Sequence, residues 1–228
     1  MRVRVLVYNV RGFRDGEDRV AEVVRRFAPD LVLLNESGGR LRRRRFAKAV
    51  GMQVAADPWS PLRRRVKNAV LVRQPWRILD RRLHRFGGSA RFYPRGALIA
   101  QVGHSGFRVW VVAFHLGLHP VERLNHARKL ADALRGPRGP VVLGGDLNET
   151  PSGRAVTFLS ERFWDAWLLG GDVAGETFPA EDPTARIDYL FVSEGVRVER
   201  AIVPPIPEVR TASDHRPLVA ELTLPDPE

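Results

Sequence analysis

The chain has 228 residues, 44% of them hydrophobic and 28% charged, with a formal net charge of +11. That balance suits a globular protein with one large α/β core or two small ones, and it excludes a disordered chain. The absence of cysteine excludes disulfides, thiolate metal sites and a cysteine nucleophile, so a bound metal would rest on carboxylates, amides or imidazoles, the donors of a hard ion such as Mg²⁺ or Mn²⁺.

From the N-terminus, Val3, Val5 and Val7 alternate with Arg2, Arg4 and Leu6, which predicts a half-buried strand. Val20, Val23, Val24 and Phe27 fall at helical spacing within 17–28, and Pro29 stops that helix. The run Leu31 to Asn35 reads as a buried strand, and a basic helix is expected over 39–50. After Gly51, β-rich runs near 69–73, 76–84, 96–103 and 107–114 suit antiparallel strands joined by turns. A helix over 121–135 would place Leu124, Leu130, Ala131 and Leu134 on one face. A buried strand at 140–144, a short helix near 153–160 and strands near 187–193, 196–203 and 217–224 complete the chain. Strands in both halves, each half with its own helices, imply two sheets packed face to face with helices outside, and no linker or repeat divides residues 1–228.

No apolar run approaches the length of a membrane span. The N-terminus shows no long apolar leader, so no signal peptide is visible and a cytoplasmic location is the default expectation. The positive balance predicts attraction to polyanions. Only Lys48, Lys67 and Lys129 are lysines, however, and an arginine excess beside abundant Ala, Gly, Pro and Val also follows from GC-rich coding. The blocks Arg42–Arg45 and Arg63–Lys67 read first as solvated faces, the former also as a candidate phosphate contact.

Polar residues capable of holding metal or moving protons recur where apolar runs end. Asp146 and Asn148 follow Val141-Val142-Leu143-Gly144-Gly145, and ligands of α/β proteins gather at such strand ends. Adjacent Asp214 and His215 point in different directions on an extended chain. Asp188 falls inside an apolar strand, where a buried carboxylate needs a partner and a histidine is a natural one. Asn9 and Glu36 close the first two strands and could share a hard cation, and His115 ends a further run.

The ordered set Val5–Arg11, Pro29–Glu36, Phe114–Leu116, Gly145–Asn148, Ile187–Tyr189 and Ser213–His215 resembles the endonuclease/exonuclease/phosphatase superfamily, which includes DNase I and the abasic-site endonucleases. The resemblance implies a four-layer α/β/β/α sandwich of two mixed sheets, and a hydrolase of phosphoric esters dependent on Mg²⁺ or Mn²⁺. It makes Glu36 the main metal ligand, with Asn9 and Asp214 beside it. It has His215 facing the scissile phosphate, oriented by Asp188, and Asp146 positioning or deprotonating the attacking water. Asn148 would hydrogen-bond the phosphate or the catalytic residues, and His115 would lie near a phosphate oxygen or the leaving group. Arg11, Asn68, Arg91 and Arg95 are candidate substrate contacts. The sequence departs from the pattern at three points. Asn35 replaces the usual Gln, Arg11 stands where abasic-site endonucleases carry Asp, and no carboxylate precedes Asn68 to support His115.

A nuclease acting on DNA or RNA is the expected activity, because arginine contacts to phosphate dominate nucleic-acid affinity. A lipid headgroup, an inositol phosphate or a nucleotide is the alternative substrate, and a non-catalytic polyanion binder is the third reading. No stable protein partner is implied.

Overall fold

The computed structural model describes residues 1–57, 65–88, 94–136, 138–172 and 174–227. The first half runs β1 (Arg2–Asn9), α1 (Glu17–Phe27), β2 (Leu31–Asn35), α2 (Arg40–Ala49), β3 (Gln53–Ala56) and β4 (Ala69–Val72). Then come β5 (Arg77–Arg85), β6 (Gly96–His104), β7 (Phe107–His115), α3 (Pro120–Ala133), β8 (Val141–Asp146) and α4 (Arg154–Ser160). The chain closes with β9 (Trp164–Asp165), α5 (Ala166–Gly170), β10 (Asp188–Val192), β11 (Arg197–Ile202), α6 (Pro207–Ala212) and β12 (Leu218–Thr223).

Two six-stranded sheets form, in the orders β11-β12-β1-β2-β4-β3 and β5-β6-β7-β8-β10-β9. Both are mixed, since β1 lies parallel to β2 and β7 parallel to β8, while the other pairs are antiparallel. Val5, Val7, Leu31 and Leu33 of the first sheet meet Val111, Ala113, Val142 and Leu190 of the second in a shared inner core. Outside the first sheet, Leu6, Tyr8, Val32 and Leu34 pack on Val20, Val24 and Phe46 of α1 and α2. Outside the second, Ile99, Phe114 and Leu143 pack on Ala127, Leu130 and Leu159 of α3 and α4. The result is the four-layer α/β/β/α sandwich.

Two expectations need correction. From Val5 onward β1 is buried on both faces, because α1 and α2 cover the side that period-2 alternation would leave wet. The buried face of α3 is His126, Ala127 and Leu130, not the leucine stripe through Leu124, because the sheet surface selects the face and the Phe86 ring stacks on His126 at 5.1 Å. The short β3, β9, α5 and α6 carry no strong local period and were not anticipated.

What fixes the functional end of the sandwich is a pair of buried amides. Asn35 Nδ2, from β2, donates to Phe114 O (2.9 Å) in the opposite sheet, and Asn35 Oδ1 accepts from the Asp146 amide (2.9 Å). Asn68 Nδ2 donates to Gly96 O (2.9 Å) and Ala113 O (3.1 Å), while its Oδ1 accepts from Asn35 (3.2 Å). These bonds satisfy the buried amide side chains and tie the two sheets through backbone groups. They need close approach, and Gly145 permits it: a Cβ there would sit 1.7 Å from Phe114 O.

Candidate active site

Strand register brings the strand-end residues together. Asn9 lies opposite Asn35 across β1 and β2, and His115 lies opposite Asp146 across β7 and β8. Asp188, the first residue of β10, also pairs with Asp146, so one carboxylate sits between a histidine strand and a second carboxylate strand. β12 runs antiparallel to β1, which returns Asp214 and His215, just ahead of β12, to the same edge. Ser213 Oγ ties the junction by donating to Asn9 O at 2.8 Å.

The centre is the buried pair of His215 Nδ1 and Asp188 Oδ2, 2.7 Å apart. Burial alone would lower the His215 pKa, but the charge and hydrogen bond of Asp188, helped by Asp146 and Asp214, outweigh it and push the imidazole up to about 10. His215 therefore carries its proton at neutral pH. Asp146 Oδ2 lies 3.0 Å from Asn9 Nδ2, 3.2 Å from His115 Nε2 and 3.9 Å from His215 Nε2. Burial would raise this carboxyl too, yet the His115 charge and hydrogen bond, then His215 and the Asn148 amide, hold it well below the usual carboxylate range. Asp146 Oδ1 accepts from that amide at 2.8 Å, and Asn148 stands at φ 52°, a left-handed turn. Its side-chain Nδ2 reaches His115 Nε2 (3.1 Å) and Leu116 O (3.3 Å).

Arg95 enters from the far side, with Nη1 2.7 and 2.8 Å from the two ring nitrogens of His115. This guanidinium stands beside the histidine for which the sequence offered no supporting carboxylate. Arg11 spans Asn9 and Asp214: its amide donates to Asn9 Oδ1 (3.1 Å) and its Nε meets Asp214 Oδ2 (3.2 Å). Glu36, at φ 51°, projects into a pocket shared with Arg11, Arg95 and His115.

Asn68 departs from its expected role. It is 1% exposed and both amide hydrogens go to backbone carbonyls, so it braces the sheets and has no donor left for a substrate. Arg91 lies outside the described residues. Sequence reasoning missed Phe178, whose ring packs 4.9 Å from that of His215, and Thr177, whose Oγ1 accepts from the Asp188 amide at 3.2 Å. Both belong to an irregular loop that long-range bonds such as Ala180 N to Asp214 O and Arg216 N to Thr177 O carry to the site, so no local period signals them.

Among the described residues, Asp146, Asp188 and His215 offer ligand atoms within 4.8 Å of one another and could hold a metal in place of the His215 proton. The expected set Glu36, Asn9 and Asp214 is all oxygen, which suits a hard divalent ion. The Glu36 carbonyl accepts from the Gly12 and Gly38 amides, both at 2.8 Å, and Asp188 Oδ1 is buried without a hydrogen-bond partner among the described residues.

Two facing mixed sheets, with a carboxylate–imidazole–amide cluster at their shared strand ends, define a DNase I-like fold. The chain belongs to the endonuclease/exonuclease/phosphatase family, whose model matches residues 6–215. This is a family of phosphoesterases and typically depends on divalent metal. No curated protein sequence matches it. Among solved structures, it is similar to an endonuclease/exonuclease/phosphatase from Bacteroides vulgatus (20% identity, TM-score 0.85, covering 98% of this chain and 99% of that one). It is similar also to the mannosyl-6-phosphatase of Bacteroides thetaiotaomicron (20%, 0.81, 97% and 100%). A third likeness is to D. rerio TDP2 complexed with a single-strand DNA product (18%, 0.77, 97% and 99%). At these identities the likeness is one of fold.

Proposed function

We propose that the protein is a divalent-metal-dependent phosphodiesterase acting on nucleic acid. The observation that carries this reading is the buried Asp188–His215 pair set against Asp146, which reaches His115 at 3.2 Å in the lining of an arginine-rich pocket. Glu36, with Asn9 and Asp214, would hold Mg²⁺ or Mn²⁺, whose charge offsets that of the phosphate group.

The protein's own groups divide the remaining work. His215, with its Nδ1 proton committed to Asp188, presents Nε2–H to a phosphoryl oxygen and stabilises the charge that develops there. Asp146, kept ionised and fixed by Asn9 and the Asn148 amide, accepts the proton of the attacking water. Asn148 and His115 border the same space, and Arg95 and Arg11 neutralise non-bridging oxygens. Breakage of the bond between phosphorus and the leaving oxygen releases an alkoxide that takes up a proton from solvent, and the new phosphate retains the water oxygen.

Hydrolysis of bis(p-nitrophenyl) phosphate, single-stranded and duplex DNA, and RNA, with Mg²⁺, with Mn²⁺ and after chelation, tests the reading. Cleavage of nucleic acid that stops on chelation supports it, and inertness toward all of them with both metals refutes it. The modest pocket of about 310 Å³ favours a second reading, in which a lipid headgroup, an inositol phosphate or a nucleotide is the substrate. Turnover of those compounds with no cleavage of DNA or RNA would select it.

A further inference from the structure

Resting on the phosphodiesterase reading, a second feature concerns what the pocket holds beyond the reacting phosphate. The cavity of about 310 Å³ extends from Glu36 and His115 to Gly38 and Gly39 at the start of α2. Among the described residues its lining carries six cationic side chains, Arg11, Arg14, Arg42, Arg65, Lys67 and Arg95, against one acid, Glu36. Their commitments differ. Arg11 is paired with Asp214 and Asp15, Arg42 donates to Gly12 O at 2.9 Å, and Arg95 is held on His115. Arg14 and Arg65 form no ion pair with a described residue, so their charge is uncompensated within the described fold.

The shape of the lining points the same way. Among the described lining residues the His115 imidazole is the one aromatic ring, and cationic side chains dominate. Three non-glycine lining residues hold left-handed backbone: Arg11 (φ 45°), Glu36 (51°) and Lys67 (60°). Strain of this kind persists where surrounding structure over-determines it, and it gathers at ligand sites. α2 begins at Gly39 without a side-chain cap, which leaves its first amides and the positive end of its dipole on this side.

We propose that this pocket is a subsite for a second, non-scissile phosphate of the substrate. The reacting phosphate lies toward His215 and Arg95, and the neighbouring phosphate lies among Arg14, Arg42 and Arg65. The enzyme then prefers a strand carrying a phosphate next to the bond it cuts over an isolated phosphodiester.

The test compares dithymidine phosphodiesters bearing a 5′-phosphate, a 3′-phosphate or neither, with bis(p-nitrophenyl) phosphate as the single-phosphate control. At least one of the phosphorylated dinucleotides should show a KM about tenfold or more below that of the bare dinucleotide, the worth of one charge-assisted contact. In the Arg14→Ala/Arg65→Ala double variant that preference should vanish, while kcat and KM for bis(p-nitrophenyl) phosphate and the melting temperature hold. Equal KM for all three dinucleotides overturns the subsite, as does a double variant that weakens every substrate alike. Failure to hydrolyse any of the four refutes the diesterase reading instead. Calorimetric binding of the same dinucleotides then decides the subsite by itself, with equal affinity overturning it.

Discussion

Replacing Asp188 by Asn keeps the size of the side chain but removes the charge that holds the His215 proton. The wild-type pair is buried, with the two atoms 2.7 Å apart, and His215 is raised from 6.5 to about 10. At 1.36 kcal/mol per pKa unit the whole displacement is worth about 5 kcal/mol. Asp188 is the largest source of the rise, with Asp146 and Asp214 behind it, while burial pulls the other way. Removing it should therefore lower the His215 pKa by at least about 2 units. Because the proposed role needs the protonated imidazole, the alkaline limb of kcat against pH should move down by that amount. On bis(p-nitrophenyl) phosphate, kcat at pH 9 should fall at least about tenfold further than kcat at pH 6. Stability should follow the same sign. With the folded pKa above the unfolded value of 6.5, the pair's contribution is fully present below about 6.5 and disappears as pH rises through about 10. The stability gap between wild type and Asp188→Asn should thus narrow from pH 6 to pH 10 in urea unfolding. An alkaline limb that stays where it is in the variant would refute the reasoning.

Three further outcomes are expected. Glu36→Gln should lower Mn²⁺ affinity by at least about tenfold, read by electron paramagnetic resonance, and abolish metal-dependent turnover while leaving the metal-free melting temperature unchanged; full activity would remove Glu36 from the metal site. Asn35→Ala leaves Phe114 O and the Asp146 amide without their inter-sheet partner, so urea unfolding should show a loss of about 2–4 kcal/mol, and a loss under about 0.5 would show that the bridge is dispensable. Gly145→Ala places a Cβ against Phe114 O and should cost about 3 kcal/mol or more, with activity lost as β7 and β8 move apart; a stable, active variant would contradict the register described.

Much of the layer structure was readable because it is local. Apolar runs such as Leu31–Asn35 and Val141–Asp146 are strands whatever they pack on, and Pro29 and the Gly136 turn end helices by backbone sterics alone. The same holds for the strand-end polar residues: each announces itself against its own apolar run, and the family resemblance supplies their order. Less legible were faces and partners. Leu124 and His126 are two residues apart on α3, and sequence spacing preferred the leucine, but the sheet beneath accepts the histidine. His126 Nδ1 accepts from the Gly117 amide at 3.1 Å and its ring stacks on Phe86.

The pairing within the site illustrates the limit best. The sequence by itself placed Asn9, Glu36, His115, Asp146 and His215 at strand ends and Asp188 within a strand, since hydrophobic periodicity and its interruption are properties of neighbours along the chain. Only the tertiary structure decided that Asp146 stands between His115 and Asp188, that Asn68 turns inward to the backbone, and that Arg95 approaches His115. Those facts depend on strand order and on which sheet faces which. Such contacts join residues far apart in sequence, as Asn35 and Asp146 are, and their geometry is set by the summed packing of two sheets rather than by any local run.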